Sequence, residues 1–398
     1  MAAINIKTKK TEYKFMLPSD IVKSCQIQKT KSKLSGSAAL LMAACALPGL
    51  MPAAHAETIP EFGTISAKLL AYHQSQPNAE GANKSSVSSP SIYISKPIAG
   101  QWLVEGSITH DNVSGASPRY HTTAASNMSD KRIAADVKVK RYFDHGTVSV
   151  GTAYSNEHDY QSTAFSISGT KSTEDNNTTF SGGVGYNQDK INPTNKVVVN
   201  EKKRGLELQV GVTQVLTPLD IAQLNATYTE GVGYYSDPYK TFDKRPGSRT
   251  TGVLLARWNH HFKELGATTR AQYRYYTDSF GVKAHTMGLE VVKTYPNGWT
   301  VTPGVRYSTQ SKADFYFDPP FPNGRTTDGF YTADQRLANM GSVTVGLKVS
   351  KQIDAESSID LKLESYVQRT GLYLGSNKST GLDPLKATML QIGYSRKF

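Results

Sequence analysis

From residue 57 onward one rhythm dominates the chain: apolar and polar residues alternate in short runs. Ile65, Ala67 and Leu69 alternate with other side chains, as do Trp102, Val104, Gly106 and Ile108. Ile133, Ala135, Val137 and Val139 enclose Asp136 and Lys138, and Lys140 follows. The pattern continues through Val148-Val150, Phe165-Ile167, Phe180-Val184-Tyr186 and Leu206-Leu208-Val210-Val212. Leu224-Ala226-Tyr228, Leu254-Ala256-Trp258, Ala271-Tyr273-Tyr275, Met287-Leu289-Val291, Val301-Pro303-Val305-Tyr307, Val343-Val345-Leu347-Val349 and Ile359-Leu361-Leu363 extend it. A side-chain period of two belongs to the β-strand, not to the helix. With a weaker run near Ile92-Ile94 and a closing one, about sixteen strands (14–16) are expected. After residue 56 no window approaches the roughly 18 consecutive apolar residues of a spanning helix.

The connections fall into two classes. Short, turn-like links are Lys96–Gly100, Phe143–Gly146, Glu174–Asn177, Thr217–Asp220, Tyr295–Gly298 and Gln352–Ala355. Those between them are mostly longer, at about 111–131, 188–203, 231–249 and 310–340, with 78–90 expected as the first long loop. A soluble sandwich has no reason to sort loop lengths by parity. An up-and-down transmembrane antiparallel β-barrel does sort them, with short periplasmic turns and long extracellular loops. The fold class expected is therefore all-β, in one barrel domain over residues 57–398.

Both ends agree. In Lys386–Phe398, Thr388, Leu390, Ile392 and Tyr394 share one strand face, and the chain stops on Phe398. This resembles the closing-strand signal of bacterial outer-membrane barrels, with Tyr394 and Phe398 as the assembly signal and Arg396 interrupting the pattern. Residues 1–33 hold eight lysines and two acids, an apolar run follows from Leu34 to Leu50, and Ala54-His55-Ala56 supplies small residues for cleavage. That is the layout of a secretory signal peptide over 1–56, cleaved after Ala56. A lipoprotein reading around Ala43-Ala44-Cys45 would cut the hydrophobic region short. Both cysteines, Cys25 and Cys45, fall in that segment, so disulfides, zinc ribbons and cysteine nucleophiles are not expected in 57–398. Removing the segment from the chain's 45 basic and 33 acidic residues leaves 37 and 31. An excess that mild does not suit nucleic-acid binding, which needs a concentrated basic face, and no nucleic-acid partner is expected.

Within hydrocarbon every backbone polar group must be paired, and a closed barrel does this with no free edge. The inner side then carries Lys68, Glu105, Asp136, Lys138, Lys140, Glu207, Arg257, Arg270, Arg274, Glu290, Arg306, Lys348, Asp360, Lys362 and Glu364. Each would cost about 2–4 kcal/mol in lipid near the midplane, so these are candidate lumen-lining residues. Arg270 and Arg274, with Gln272 between them, suggest a basic ladder; the alternative is that inner acids pair with the bases and fill the lumen. The mixed signs suggest at most a weak anion preference. Tyr154, Tyr186, Tyr228, Tyr273, Tyr275 and Tyr307 suit an aromatic girdle near the outer strand ends.

Chemistry-bearing motifs are sparse. His260-His261 point to opposite faces and make poor joint metal ligands. His110-Asp111 and His158-Asp159, at outer strand ends, are the candidates for a rim hydrolase that activates water. No HExxH and no phosphate-binding glycine loop with a lysine are present. Asp237 and Tyr239 in Ser236–Lys240, and Asp314, Phe315, Tyr316, Phe317 and Asp318 in Ala313–Pro322, are candidate loop-recognition residues, together with His110, Asp111 and Arg119. Such loops can hold calcium, plug a lumen, present a sugar-binding face, or pack on themselves. No metal or cofactor is assigned.

Several segments carry a family resemblance. They are His110-Asp111 with Val113–Tyr120, Ser172–Asn176, Ser236–Lys240, Ala256–Phe262, Tyr273–Tyr276 with Asp278–Gly281, Ala313–Asp318 and Tyr331–Leu337. They are similar to bacterial domain-of-unknown-function family 3570, across essentially the whole of 57–398. The resemblance implies a Gram-negative outer-membrane barrel and implies no activity. The expected role is a non-enzymatic channel or solute-uptake protein. Its expected partners are outer-membrane lipid and lipopolysaccharide, the barrel-assembly machinery and a small solute. The alternatives are a surface receptor, adhesin or scaffold with a filled lumen, and the rim hydrolase. A plugged transporter of about 22 strands would need a longer chain.

Overall fold

The computed structural model describes residues 58–78, 81–116, 127–240, 242–319 and 329–398. The expected signal segment and Arg119 lie outside the described residues. The first nine strands are β1 (Thr64–Asn78), β2 (Gly81–Ile98), β3 (Trp102–Ala116), β4 (Asn127–Phe143), β5 (Gly146–Asn156), β6 (Tyr160–Ser172), β7 (Thr178–Ile191), β8 (Glu201–Thr217) and β9 (Asp220–Gly233). After a two-residue β10 (Asp243–Lys244) come β11 (Ser248–Phe262), β12 (Ala267–Asp278), β13 (Lys283–Thr294) and β14 (Trp299–Gln310). A second short strand, β15 (Tyr331–Thr332), precedes β16 (Met340–Gln352), β17 (Ser357–Arg369) and β18 (Leu385–Lys397). Sixteen of these form one closed antiparallel barrel, each paired with its neighbour in the chain, and β10 and β15 pair separately.

Closure is made by β1 against β18, in register from Thr64↔Lys397 through Leu69↔Ile392 to Ser75↔Lys386. The terminal residue takes part: Gly63 donates to the Phe398 carbonyl at 2.9 Å, and Phe398 donates back to Gly63 at 3.0 Å. The strand that ends the chain thus removes the last free edge.

Along each barrel strand the large apolar side chains share one face and are exposed. Ile65, Ile133, Val150, Phe165, Val210, Leu254, Val345, Leu361 and Ile392 are examples. The shortest barrel strand, β5, has 11 residues. At roughly 3.4 Å per residue and a tilt of about 40° it rises about 28 Å, enough for the roughly 25 Å apolar band of a membrane barrel. Exposed aromatics mark both limits of that band. Tyr154, Tyr186, Tyr228 and Tyr273 lie toward one end; Trp102, Phe143, Phe180, Phe262, Trp299 and Tyr394 lie toward the other.

The end that holds the chain's last residue carries tight turns. In one, Gly298 adopts φ 79° and its N–H returns to Tyr295 O at 3.0 Å. Long connections gather at the opposite end, at 192–200, 234–247, 311–339 and 370–384. The expected loop over 78–90 is corrected: β1 and β2 pair continuously from Thr64↔Ser95 to Asn78↔Gly81. This serine-rich stretch lies beyond the apolar band, so its strand carries no hydrophobic alternation. For the same reason β3 and β4 run on to Ala116 and Asn127, which narrows the connection between them. The 370–384 loop was not foreseen. Three connections at the loop end, 79–80, 157–159 and 279–282, are short, so the sorting by parity holds on average rather than strictly.

Candidate functional site

Strand alternation places all twelve predicted lumen residues on the face opposite the exposed apolar side chains, which closure makes the inner face. Asp136, Lys138 and Lys140 come from β4, Arg257 from β11, Arg270 and Arg274 from β12, and Glu290 from β13. Arg306 comes from β14, Lys348 from β16, and Asp360, Lys362 and Glu364 from β17.

Two walls differ. Across β5, β6 and β7 the inner residues are small and hydroxylated. Ser149 and Ser168 bond at 2.8 Å, Thr147 and Thr170 at 2.9 Å, and Ser172 and Thr179 at 2.9 Å. The other strands carry most of the inner charge. Some of it is paired: Lys138 to Glu105 at 2.9 Å, Lys362 to Glu364 at 3.0 Å, and Arg306 to Glu364 at 3.4 Å. Asp136 accepts from the Ser107 hydroxyl, and Glu105, only 4% exposed, accepts from Tyr93 at 2.8 Å. On β11 and β12 amides and rings lie beside the bases. Arg257 donates to Gln223 Oε1 at 3.3 Å, and the Arg274 guanidinium lies 5.3 Å from the Tyr276 ring centroid. Arg270 stands opposite Glu290 in register, yet among the described residues no carboxylate comes within 4.0 Å of Arg270 or Arg274.

Above this basic wall the long connections fold into a lid. Asp278 starts it: its Oδ1 accepts the N–H groups of Phe280 and Val282, both at 3.0 Å, across a turn in which Gly281 has φ 85°. The turn aims Phe280 into an apolar core with Val282, Ala313, Tyr316, Leu337, Ala338 and Leu382. Tyr276 and Met340, from the inner faces of β12 and β16, pack against that core. Arg249 on β11 bonds Tyr276 Oη at 2.9 Å, pairs with Asp278, and covers the Phe280 ring at 4.6 Å. Gln310 on β14 donates to the carbonyls of Arg336 and Ala338 at 2.8 and 3.1 Å. The 311–339 loop is therefore seated on inward-pointing side chains.

Beside the apolar core lies an ionic one. β10 and β15 pair as Asp243↔Thr332 and Lys244↔Tyr331, which joins two loops distant in sequence. Asp334 accepts from Lys240 Nζ and Arg245 Nη2, each at 2.7 Å, and from Arg336 Nε at 2.9 Å. Arg245 also grips Asp243 at 2.7 Å, and Arg336 reaches Asp237 at 3.2 Å. Burial alone would raise the Asp334 carboxyl, but Arg336, Lys240 and Arg245 outweigh it and hold the group well below the usual carboxylate range. Burial lowers the Lys240 ammonium, against the pull of Asp334. None of Lys240, Asp243, Arg245, Asp334 or Arg336 stood among the candidate site residues. The available signal was the close spacing of opposite charges in Asp237-x-x-Lys240, Asp243-x-Arg245 and Asp334-x-Arg336.

The loop-recognition candidates differ in where they lie. Asp237, Tyr239, Tyr316 and Phe317 are buried, and Phe315 packs against the lid core. They build the lid instead of presenting a surface, because the two loops fold on each other; Asp314 stays exposed. Asp318 accepts from Tyr316 at 3.2 Å. Tyr239 donates to Asp159 Oδ2 at 2.6 Å and accepts from the Thr194 N–H at 3.0 Å, tying the lid to the facing rim. His110 and Asp111 lie within β3, not in a loop, and consecutive strand residues face opposite ways. Asp111 is buried and accepts from Arg132 Nε at 2.6 Å. His158 is exposed while Asp159 is buried against Tyr239, so neither pair forms a His–Asp couple. Asp130, Glu157 and Asp159 bring carboxylate oxygens within 4.8 Å of one another, with Arg132 Nε 4.0 Å from Glu157. At the short-turn end, His260 bonds Asp220 at 2.7 Å and His261 bonds Thr268 at 3.0 Å.

Comparison with solved structures finds outer-membrane barrels at low identity. The siderophore receptor PirA from Pseudomonas aeruginosa is 9% identical, with a TM-score of 0.46; the match covers 84% of this chain and 62% of the receptor, so the chain spans less than two thirds of that protein. A mutant of TodX, a monoaromatic hydrocarbon channel, is 11% identical, with a TM-score of 0.45 and coverage of 92% and 96%. A Pseudomonas aeruginosa FadL homologue is 12% identical, with a TM-score of 0.42 and coverage of 85% and 90%. No curated protein matches the sequence. The family described as "Protein of unknown function (DUF3570)" matches residues 122–202 and 194–396. A closed sixteen-strand barrel with a charged inner wall and a folded lid is thus the form taken by a member of that family, to which this chain belongs.

Proposed function

We propose that the chain spans the outer membrane of a Gram-negative bacterium as a non-enzymatic channel or uptake barrel for small hydrophilic solutes. One observation carries this reading: the exposed band is apolar while the opposite face of the same strands bears Lys, Arg, Asp and Glu. Charge of that kind in lipid would cost about 2–4 kcal/mol per group near the midplane, and it is stable in a wet interior. A barrel of sixteen strands is wide enough to hold one. The tight turns then face the periplasm and the lid faces outward. The apolar band meets lipid and lipopolysaccharide, and the closing strand with Tyr394 and Phe398 is what the assembly machinery reads. Purified full-length protein in planar bilayers should give stepwise, ohmic current; a folded barrel that passes no ions contradicts the open channel.

A second reading, a receptor or scaffold with a filled lumen, is favoured by the packing of the lid onto inward-facing Tyr276, Gln310 and Met340. Replacing 313–335 with a short Gly/Ser linker separates the two. A channel gains conductance, whereas a filled scaffold gains none and loses binding to its partner.

A further inference from the structure

We propose that Lys190 on β7, with Lys202 and Arg204 on β8, forms a surface on the lipid side of the barrel, at its loop end, that binds the phosphate groups of an outer-leaflet glycolipid. The inference rests on the outer-membrane reading above.

Alternation sets the face. On β7 the exposed side chains Phe180, Val184 and Tyr186 are followed on the same face by Gln188 and Lys190, both exposed. On β8 the exposed Val210, Leu208 and Leu206 are continued by Arg204 and Lys202, also exposed. Register sets the height. Tyr186 lies opposite Leu206, Gln188 opposite Arg204, and Lys190 opposite Lys202. Tyr186 belongs to the aromatic limit of the apolar band. At about 2.6 Å of rise per residue, Arg204 stands about 5 Å above it and the two lysines about 10 Å. That is the level at which acyl chains give way to headgroups.

Like charges directly opposite each other on a strand pair destabilise it, and Lys190 faces Lys202 in this way. Among the described residues no carboxylate comes within 4.0 Å of Lys190, Lys202 or Arg204. Glu230, on the same face of β9, lies opposite Leu206, while Arg204 lies opposite Val232. The inner face of the same two strands is handled otherwise. Asp189 lies opposite Lys203, pairs with it at 3.1 Å, and also accepts from Ser162 and Asn187. Charge is matched within the barrel and left unmatched on its outside.

The position selects the occupant. The three cations border lipid rather than the lumen, so a membrane lipid reaches them and a passing solute does not. A leaflet presents phosphate along a plane, and the cations need share only that level, not a point. Arginine binds phosphate with two parallel bonds, lysine as a point charge, and the stems of both can lie along apolar surface while the heads stay at the polar level.

The test titrates purified full-length protein with diphosphoryl lipid A in detergent containing EDTA, so that no divalent ion bridges acid to phosphate, and counts bound lipid by native mass spectrometry. Wild type should retain lipid A and should bind lipid A stripped of both phosphates far more weakly. Combining Lys190→Gln, Lys202→Gln and Arg204→Gln should weaken binding roughly hundredfold, about fivefold per cation, with the heat-modifiable gel mobility of the folded barrel unchanged. Lys202→Gln alone should then cost about fivefold. Lys131→Gln, which removes an exposed cation from β4, should change nothing. Equal binding of phosphorylated and stripped lipid overturns the surface, as does a triple variant that binds like wild type. Equal binding of phosphatidylglycerol overturns the choice of a glycolipid. A protein that inserts into vesicles and conducts yet holds no lipid A overturns the surface alone. A folded protein that does not insert overturns the membrane-barrel reading and the surface with it.

Discussion

The lid and the arginine wall beneath it handle charge in opposite ways. In the lid, Asp237, Asp243 and Asp334 meet Lys240, Arg245 and Arg336, and every acid is almost fully buried. On the wall, Arg270 stands opposite Glu290 without an ion pair, and the Arg274 guanidinium lies beside the Tyr276 ring. Ions removed from water are stable only when each is met by its opposite and by hydrogen bonds. Where water remains, a charge can stand without such a partner. The difference separates loops locked to one another by buried ion pairs from strands on which Arg270 and Arg274 make none.

The largest effect expected is in the lid. Asp334→Ala leaves three cations without their shared carboxylate, and breaking a buried ion pair costs about 3–5 kcal/mol. Hydrogen exchange should show 311–319 and 329–339 losing protection while β1 to β9 keep theirs. Equal loss across the barrel would erase the distinction between lid and wall. Next comes a charge on the wrong side of a strand. Leu361→Arg should destabilise the barrel by about 2–4 kcal/mol, and Lys362→Arg on the adjacent inward position by far less, read as urea midpoints in lipid vesicles.

Smaller still is the loss of one donor. Tyr93→Phe removes the bond to buried Glu105 and should cost about 1–3 kcal/mol, with Lys138 still paired. The pH response sharpens the contrast further. The folded Asp334 carboxyl is held below its unfolded value of about 3.9. Its contribution is therefore complete above that value and is lost only as pH falls through the lower folded one. Exchange protection around Asp334 should be flat from pH 7 to about 5 and fall only in stronger acid. The smallest effect is on the hydroxyl wall: Ser149→Ala breaks the bond to Ser168 at about 1 kcal/mol, with no change in ion selectivity.

The barrel was legible wherever a strand crosses the apolar band. Ile359, Leu361 and Leu363 declare an outer face, so Asp360, Lys362 and Glu364 must take the other. Legibility stopped at the edge of that band. Ser85 to Ser88 pair with β1 residue by residue, but a strand that lies above the apolar zone need not alternate in hydrophobicity. The lid was hidden for another reason. Arg245 and Asp334 are 89 positions apart, and no local pattern says that two loops will meet. Only the halves of the cluster, such as Asp243 beside Arg245, were visible. The same folding explains why Tyr316 and Phe317, conspicuous in the sequence as loop aromatics, are buried.

The central claim is that one face of each strand meets lipid and the other meets water. With Cys25 and Cys45, the chain's two cysteines, replaced by serine, a single one can be introduced at Leu361→Cys or at Lys362→Cys and read in intact outer-membrane vesicles. The account predicts that a water-soluble maleimide labels position 362 and not 361, and that a lipid-borne nitroxide quenches a small fluorophore attached at 361 and not at 362. Two adjacent positions that label and quench alike would contradict it.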